Sequence, residues 1–248
     1  VAEVLLPDPL SWSFLFAGGI VALAGVVRGF AGFGSAMIMT PGLSAVYGPA
    51  AAVPIGLLME ILLTVPLMPT AAPLVEWRRI GALTIAAAAT VPLGASLLLS
   101  LDAEFMRWVI SAAVLTFVAM LSFGWRYTGR PNGIATLATG ASSGVLNGAT
   151  GMGGPPIIFY YLSGPDEAAR ARASFIVYFA LIDSLAVAAL WWEGALTAEV
   201  LQRALALSPL YLGAAWIGVR LFGRASDSTY RRVALVILAV VAAASLVV

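Results

Sequence analysis

Residues 25–34 read GVVRGFAGFG, and the pattern returns at residues 144–153 as GVLNGATGMG. Gly25, Gly29, Gly32 and Gly34 align with Gly144, Gly148, Gly151 and Gly153, and Val27/Leu146 and Phe33/Met152 are conservative pairs. The glycine scaffold is kept while Arg28 becomes Asn147. Each copy lies in a long apolar stretch. From Asp8 to Glu60 the only charge is Arg28, and between Arg130 and Asp166 there is none. A helix does not run straight through Gly32, Gly34 and Ser35, or through Gly151, Gly153, Gly154, Pro155 and Pro156, because glycine is entropically costly there and proline removes a backbone donor. Each stretch therefore divides, into 11–30 with 35–47 and into 133–149 with 155–163. Paired, glycine-interrupted apolar segments at corresponding places in two halves point to a transporter's binding site.

The rest of the chain decides the solvent. With 61% hydrophobic and 10% charged residues among 248, and a mean hydropathy of +0.99, there is too little polar surface for a water-soluble globule. Stretches of about 20 apolar residues are long enough to cross a bilayer as helices. The spans expected are 49–69, 80–99 and 104–123 in a first repeat (1–124), and 168–192, 199–222 and 229–248 in a second (131–248). The absence of His and Cys excludes soft metal sites, thiol catalysis and disulfides, so no cofactor or metal is expected. The net charge of +1 gives no sign of nucleic-acid binding. Glu3 and Asp8 take the place of a basic leader region, so no signal peptide is expected.

Arginine placement arbitrates the topology. If both broken stretches cross the membrane fully, the flanking arginines divide almost evenly between the two faces. If both fold back as hairpins, Arg78, Arg79, Arg126, Arg130, Arg170, Arg172, Arg220, Arg224, Arg231 and Arg232 share one face, and only Arg107 and Arg203 lie opposite. The expected architecture is therefore an all-α, polytopic membrane bundle of two inverted repeats, each a glycine-broken hairpin plus three spans. Both termini lie outside, and the two hairpin tips meet near the midplane.

A half-helix that begins inside a membrane aims unsatisfied N–H groups and a positive dipole end into its cavity, which suits an anion. Arg28, one turn before Gly32, adds a fixed charge and a planar fork for oxyanions. Gly32, Phe33, Gly34, Ser35, Asn147, Thr150, Gly151, Met152, Gly153 and Gly154 complete the candidate substrate site. Phe33 and Met152 also stand where a gate would. The other reading of Gly25-x-x-x-Gly29 and Gly144-x-x-x-Gly148 is close helix packing, with Arg28 capping buried carbonyls. Glu60 and Asp183 are carboxylates inside spans at near-equivalent repeat positions, and are candidates for proton coupling. Each is otherwise held neutral, or paired with Arg28 or exposed N–H groups. Trp12, Trp77, Trp108, Trp125, Trp191 and Trp192 read as interface anchors, and Tyr160, Tyr161 and Tyr178 as packing residues within reach of the cavity.

The tandem motifs GFAGFGS at 29–35 and GATGMGGPP at 148–156 resemble those of the TauE/SafE family, over essentially the whole chain. Ser35 and Ala36 follow Gly34 where that family often continues a glycine run. The resemblance implies a multi-pass transporter in a bacterial-type inner membrane. Its expected cargo is a small sulfur-containing anion, sulfite or an organosulfonate such as sulfoacetate, commonly moved outward. Other readings are an anion channel, whose flux fails to saturate, and an intramembrane enzyme resting on Glu60 and Asp183. Oligomeric state is left open, a homo-oligomer included.

Overall fold

The computed structural model describes residues 11–122, 133–162 and 168–222. Among them the chain is all helix: α1 (Trp12–Ala31), α2 (Ser35–Tyr47), α3 (Pro49–Thr64), the short α4 (Met68–Ala71), α5 (Trp77–Ser100), α6 (Ala103–Ser122), α7 (Gly133–Thr150), α8 (Gly154–Leu162), α9 (Ala168–Trp192) and α10 (Ala198–Phe222). Six segments, 12–30, 49–74, 77–100, 103–120, 170–192 and 198–221, are long and apolar enough to cross a membrane. The expected span 229–248, with Trp125 and arginines 126, 130, 224, 231 and 232, lies outside the described residues. Capping side chains mark three helix starts: Ser11 Oγ accepts from the Phe14 N–H, Asp102 Oδ1 from Phe105 and Thr197 Oγ1 from Val200. Where a plain span 49–69 is expected, α3 ends at Thr64 and continues to Leu74 as 3₁₀ turns flanking α4. Pro66, Pro69 and Pro73 explain the change, since each lacks the N–H that an α-helix needs.

Both glycine breaks fold the chain back. Gly32 and Gly34 take φ of 81° and 92°, a left-handed region that costs other residues strain. A Cβ on Gly42 of α2 would lie 2.7 Å from Ile20 of α1. On a continuous helix those residues would be roughly 33 Å apart at 1.5 Å per residue, so α2 returns alongside α1. In the second copy Gly151 takes φ 68°, and Thr136 of α7 hydrogen-bonds Tyr160 of α8 across the break at 2.7 Å.

The remaining motif glycines serve a different purpose. The two most extensive helix pairs are α5 with α7 and α1 with α10, and they make the same contact twice. A Cβ on Gly29 would lie 1.9 Å from the Ala215 carbonyl oxygen, and one on Gly148 would lie 2.2 Å from that of Val91. In return a Cβ on Gly218 would lie 2.2 Å from the Val26 carbonyl oxygen, and one on Gly94 would lie 2.2 Å from that of Val145. Lipid tails give helices no hydrophobic reason to associate, so backbone approach at small residues supplies the packing contacts. Each half's first helix is thereby locked to a helix of the other half. Helices α3 and α9 pack together at the centre, α3 also against α10 and α9 against α5. Trp12, Trp77, Trp108, Trp191 and Trp192 are exposed near helix ends.

Candidate functional site

Helix α1 carries Arg28 to its last turn, where burial removes the guanidinium from water. One arm, Nη1, donates to the Gly32 carbonyl at the break, and Nε lies 3.0 Å from Glu60 Oε2 on α3. Glu60 is itself buried, and its other oxygen accepts from Ser35 Oγ at the start of α2 and from Tyr211 Oη of α10 at 2.6 Å. Four helices thus converge on one carboxylate. The Arg28 guanidinium carbon also stands 5.3 Å from the centre of the Phe179 ring of α9, a cation–π separation.

The second copy repeats this arrangement without the cation. Asn147 Nδ2 donates to Asp183 Oδ1 at 3.1 Å, in the position of the Arg28–Glu60 pair, and Asn147 Oδ1 accepts the Gly153 N–H at 3.1 Å. Ser143 Oγ donates to the Gly153 carbonyl at 2.5 Å and accepts from Tyr178 Oη at 2.8 Å. Asn147, Asp183, Ser143 and Tyr178 are all buried. The second break rests against α2, with Thr40 Oγ1 donating to the Thr150 carbonyl at 2.9 Å.

Between the breaks lies a cavity of about 40 Å³. Of the candidate residues, Arg28, Phe33, Gly34, Ser35, Glu60, Gly151, Met152, Gly154 and Asp183 line it. Gly32, Asn147, Thr150 and Gly153 do not. Gly32 offers its carbonyl to Arg28, Asn147 holds Asp183 and Gly153 from behind, and the Thr150 hydroxyl turns back to the Leu146 carbonyl at 2.7 Å. Tyr178 serves Ser143, Tyr160 binds Thr136, and the Tyr161 ring stacks under Arg79 at 5.8 Å, so none of these three tyrosines lines the cavity. Gly34 precedes α2 without any side chain to accept its first amides. The start of that helix keeps the partial positive charge of free N–H groups.

Two contributors escape a reading by residue type. Tyr211 sits in an uncharged run, SPLYLG, and Phe179 in YFALI. A comparison of the halves is the signal for both. The glycine contacts pair Tyr211 with Ala87, since both carbonyls face the first motif glycine, and the Glu60/Asp183 register pairs Phe179 with Gly56. Phe179 lines the cavity itself, and Tyr211 acts on it through its hydrogen bond to Glu60.

A bundle of apolar helices, folded back at two glycine breaks around a buried guanidinium and two carboxylates, is the build of a multi-pass membrane transporter. The chain belongs to the sulfite exporter TauE/SafE family, whose profile matches residues 17–245. It is 27% identical over 246 residues to the probable sulfite/organosulfonate exporter TauE of Cupriavidus necator, an alignment that covers 94% of this chain and 91% of that protein. No solved structure matches it.

Proposed function

We propose that this protein is a secondary transporter that moves small sulfur-containing anions, sulfite or organosulfonates, outward across the inner membrane, and that Arg28 is the anion's charged partner. The observation that carries this reading is the buried Arg28–Glu60 pair, 3.0 Å apart beside two fold-back tips. A buried ion pair contributes little net stability, because desolvation offsets the attraction. Ionisable groups within a membrane span are functional by default.

Charge arithmetic gives the coupling. With both carboxylates ionised, the cavity holds one positive and two negative charges, which repels an anion. Protonation of Glu60 releases Arg28 from its competitor, and the anion takes the carboxylate's place against the guanidinium, Ser35 and the first amides of α2. Anion and proton thus occupy the site together. Asp183, held by Asn147, is the second proton-accepting position. The cycle is reversible, and an anion accumulated in the cytoplasm drives it outward.

In the proposed topology the first hairpin enters from outside and the second from the cytoplasm, which makes the halves inverted repeats with both termini outside. The reciprocal glycine contacts of α1 with α10 and of α5 with α7 relate the halves by a two-fold exchange, as that arrangement requires, and the arginine distribution supports its inverted sense. Alternating access is then a rocking of one half against the other about the cavity. The test is flux of radiolabelled sulfite, sulfoacetate and a carboxylate control in proteoliposomes, with and without a pH gradient. Saturable, gradient-sensitive sulfite or sulfonate flux that is lost in Arg28→Ala is expected. No flux in the wild type under any gradient overturns the reading.

A further inference from the structure

Helices α6, α7 and α8 line a second, half-open chamber, of about 460 Å³, beside the polar cavity. Its walls include Ala112, Ala113, Leu146, Pro156 and Phe159, and among the described residues no charged side chain lines it. Hydroxyls at Thr116, Thr139 and Tyr160 are the polar side-chain groups that the described residues bring to it, and that of Tyr160 is taken by Thr136. Met37, Phe117, Met152 and Pro155 line both spaces, so they form the wall between them. Two of the four are methionines, unbranched side chains that rearrange at small cost.

The sizes decide what each space can hold. A cavity of about 40 Å³ admits a compact charged group and little else, whereas 460 Å³ falls within the roughly 300–1,000 Å³ of small-molecule sites. An organic anion headed into the polar cavity must place its body elsewhere, and the adjoining volume is this one. We propose that the chamber receives the apolar alkyl or aryl body of an organic sulfonate whose charged head lies at Arg28. This rests on the anion reading above and narrows it. An uncharged lining leaves a second anionic group without a partner, so the site favours monoanions with apolar bodies over dianions.

The test is competition against labelled sulfite flux in proteoliposomes by unlabelled methane-, ethane-, butane- and hexanesulfonate, with alcohols of the same lengths as partition controls. Each added methylene should lower the half-inhibitory concentration roughly fourfold, the transfer free energy of a buried CH₂. Benzenesulfonate should compete better than sulfoacetate, and the alcohols should be inert. Ala113→Phe, which fills the chamber, should flatten the chain-length slope, and Thr139→Leu should reduce it if the larger side chain prevents folding. A flat wild-type slope, with methanesulfonate still competing and flux still dependent on Arg28, overturns the chamber and leaves the anion site standing. So does inhibition by the alcohols with the same slope. A flat slope with a co-purified phospholipid that is lost in Ala113→Phe gives the chamber to a lipid and overturns the proposal. If no sulfite flux exists to inhibit, the anion reading itself has failed.

Discussion

Glu60→Gln should make the protein bind its anion more tightly. The amide keeps the carboxylate's shape, and its oxygen still accepts from Ser35 and Tyr211, while the negative charge 3.0 Å from Arg28 Nε is gone. Two unit charges at that distance interact by about 5 kcal/mol at an effective dielectric of 20, and breaking a buried pair costs about 3–5 kcal/mol. An anion entering the wild-type site must meet that cost before it contacts Arg28. Part of it returns when the hydrogen bonds from Ser35 and Tyr211 persist on an uncharged acceptor, so we take a net gain of about 2–3 kcal/mol, or roughly 30- to 150-fold in Kd. Calorimetric titration of purified protein with sulfite or methanesulfonate, repeated across pH, reads both halves of the argument. In the wild type, affinity should fall as pH rises, by up to about tenfold per unit where one proton is taken up with the anion. In Glu60→Gln that dependence should weaken to the share left by Asp183, and vanish in Glu60→Gln with Asp183→Asn. An unchanged or weaker Kd in Glu60→Gln, or a pH dependence that it leaves undiminished, refutes the competition between Glu60 and the anion.

Four further outcomes check separate links. Arg28→Ala strands the Glu60 carboxylate and should lower thermal stability by about 3–5 kcal/mol, whereas Arg28→Ala with Glu60→Gln should regain most of that in thermal unfolding while transport stays absent. Tyr211→Phe removes one charge-assisted donor from Glu60 and should tighten anion binding about tenfold in the same titration. Gly29→Ala and Gly148→Ala each force a helix pair apart and should cost about 1–3 kcal/mol in a thermal-shift assay; Gly81→Ala and Gly213→Ala, where an added Cβ meets nothing within 4 Å, should be near neutral. Because the chain has no cysteine, single replacements report topology directly: a cysteine at 168 should label from the cytoplasm and one at 197 from outside, and the reverse or a shared side would remove the inverted arrangement.

Much of this was legible because membranes constrain sequences tightly. In lipid every backbone group must be satisfied within its helix, so an interruption has few possible causes. The run Gly32, Phe33, Gly34 and the run Gly151 to Gly154 mark the breaks to within a residue or two, where α1 gives way to α2 and α7 to α8. Arg28, Glu60 and Asp183 were visible as charges in spans that tolerate few. What stayed hidden is tertiary. No spacing says that Glu60 faces Arg28 rather than Asp183, or that Tyr211, 151 residues away in sequence, completes its shell. Asn147 and Thr150 read as substrate donors because their polar groups lie in the motif, yet their partners are Asp183, Gly153 and Leu146. The 3₁₀ continuation after Thr64 was written in Pro66, Pro69 and Pro73, and hydropathy alone passes over it.

The symmetry that built the scaffold is broken at the charged pair. At the paired helix contacts the two halves correspond: Gly29 meets Ala215 as Gly148 meets Val91, and Gly218 meets Val26 as Gly94 meets Val145. Such agreement suits the proposed rocking cycle, in which each half must take up the other's posture at similar energy. A symmetric cavity would serve a single anion badly. Two Arg–Glu pairs would present two cations, and two Asn–Asp pairs would present none. One Arg–Glu pair opposite one Asn–Asp pair gives the cavity a single positive pole with a carboxylate against it, and in the proposed cycle a proton on that carboxylate frees the pole. Tyr211 and Phe179 follow the same division: both stand beside the charged pair, where the opposite half has Ala87 and Gly56. The difference between Arg28 and Asn147 at matching motif positions is therefore what gives this duplicated arrangement its polarity.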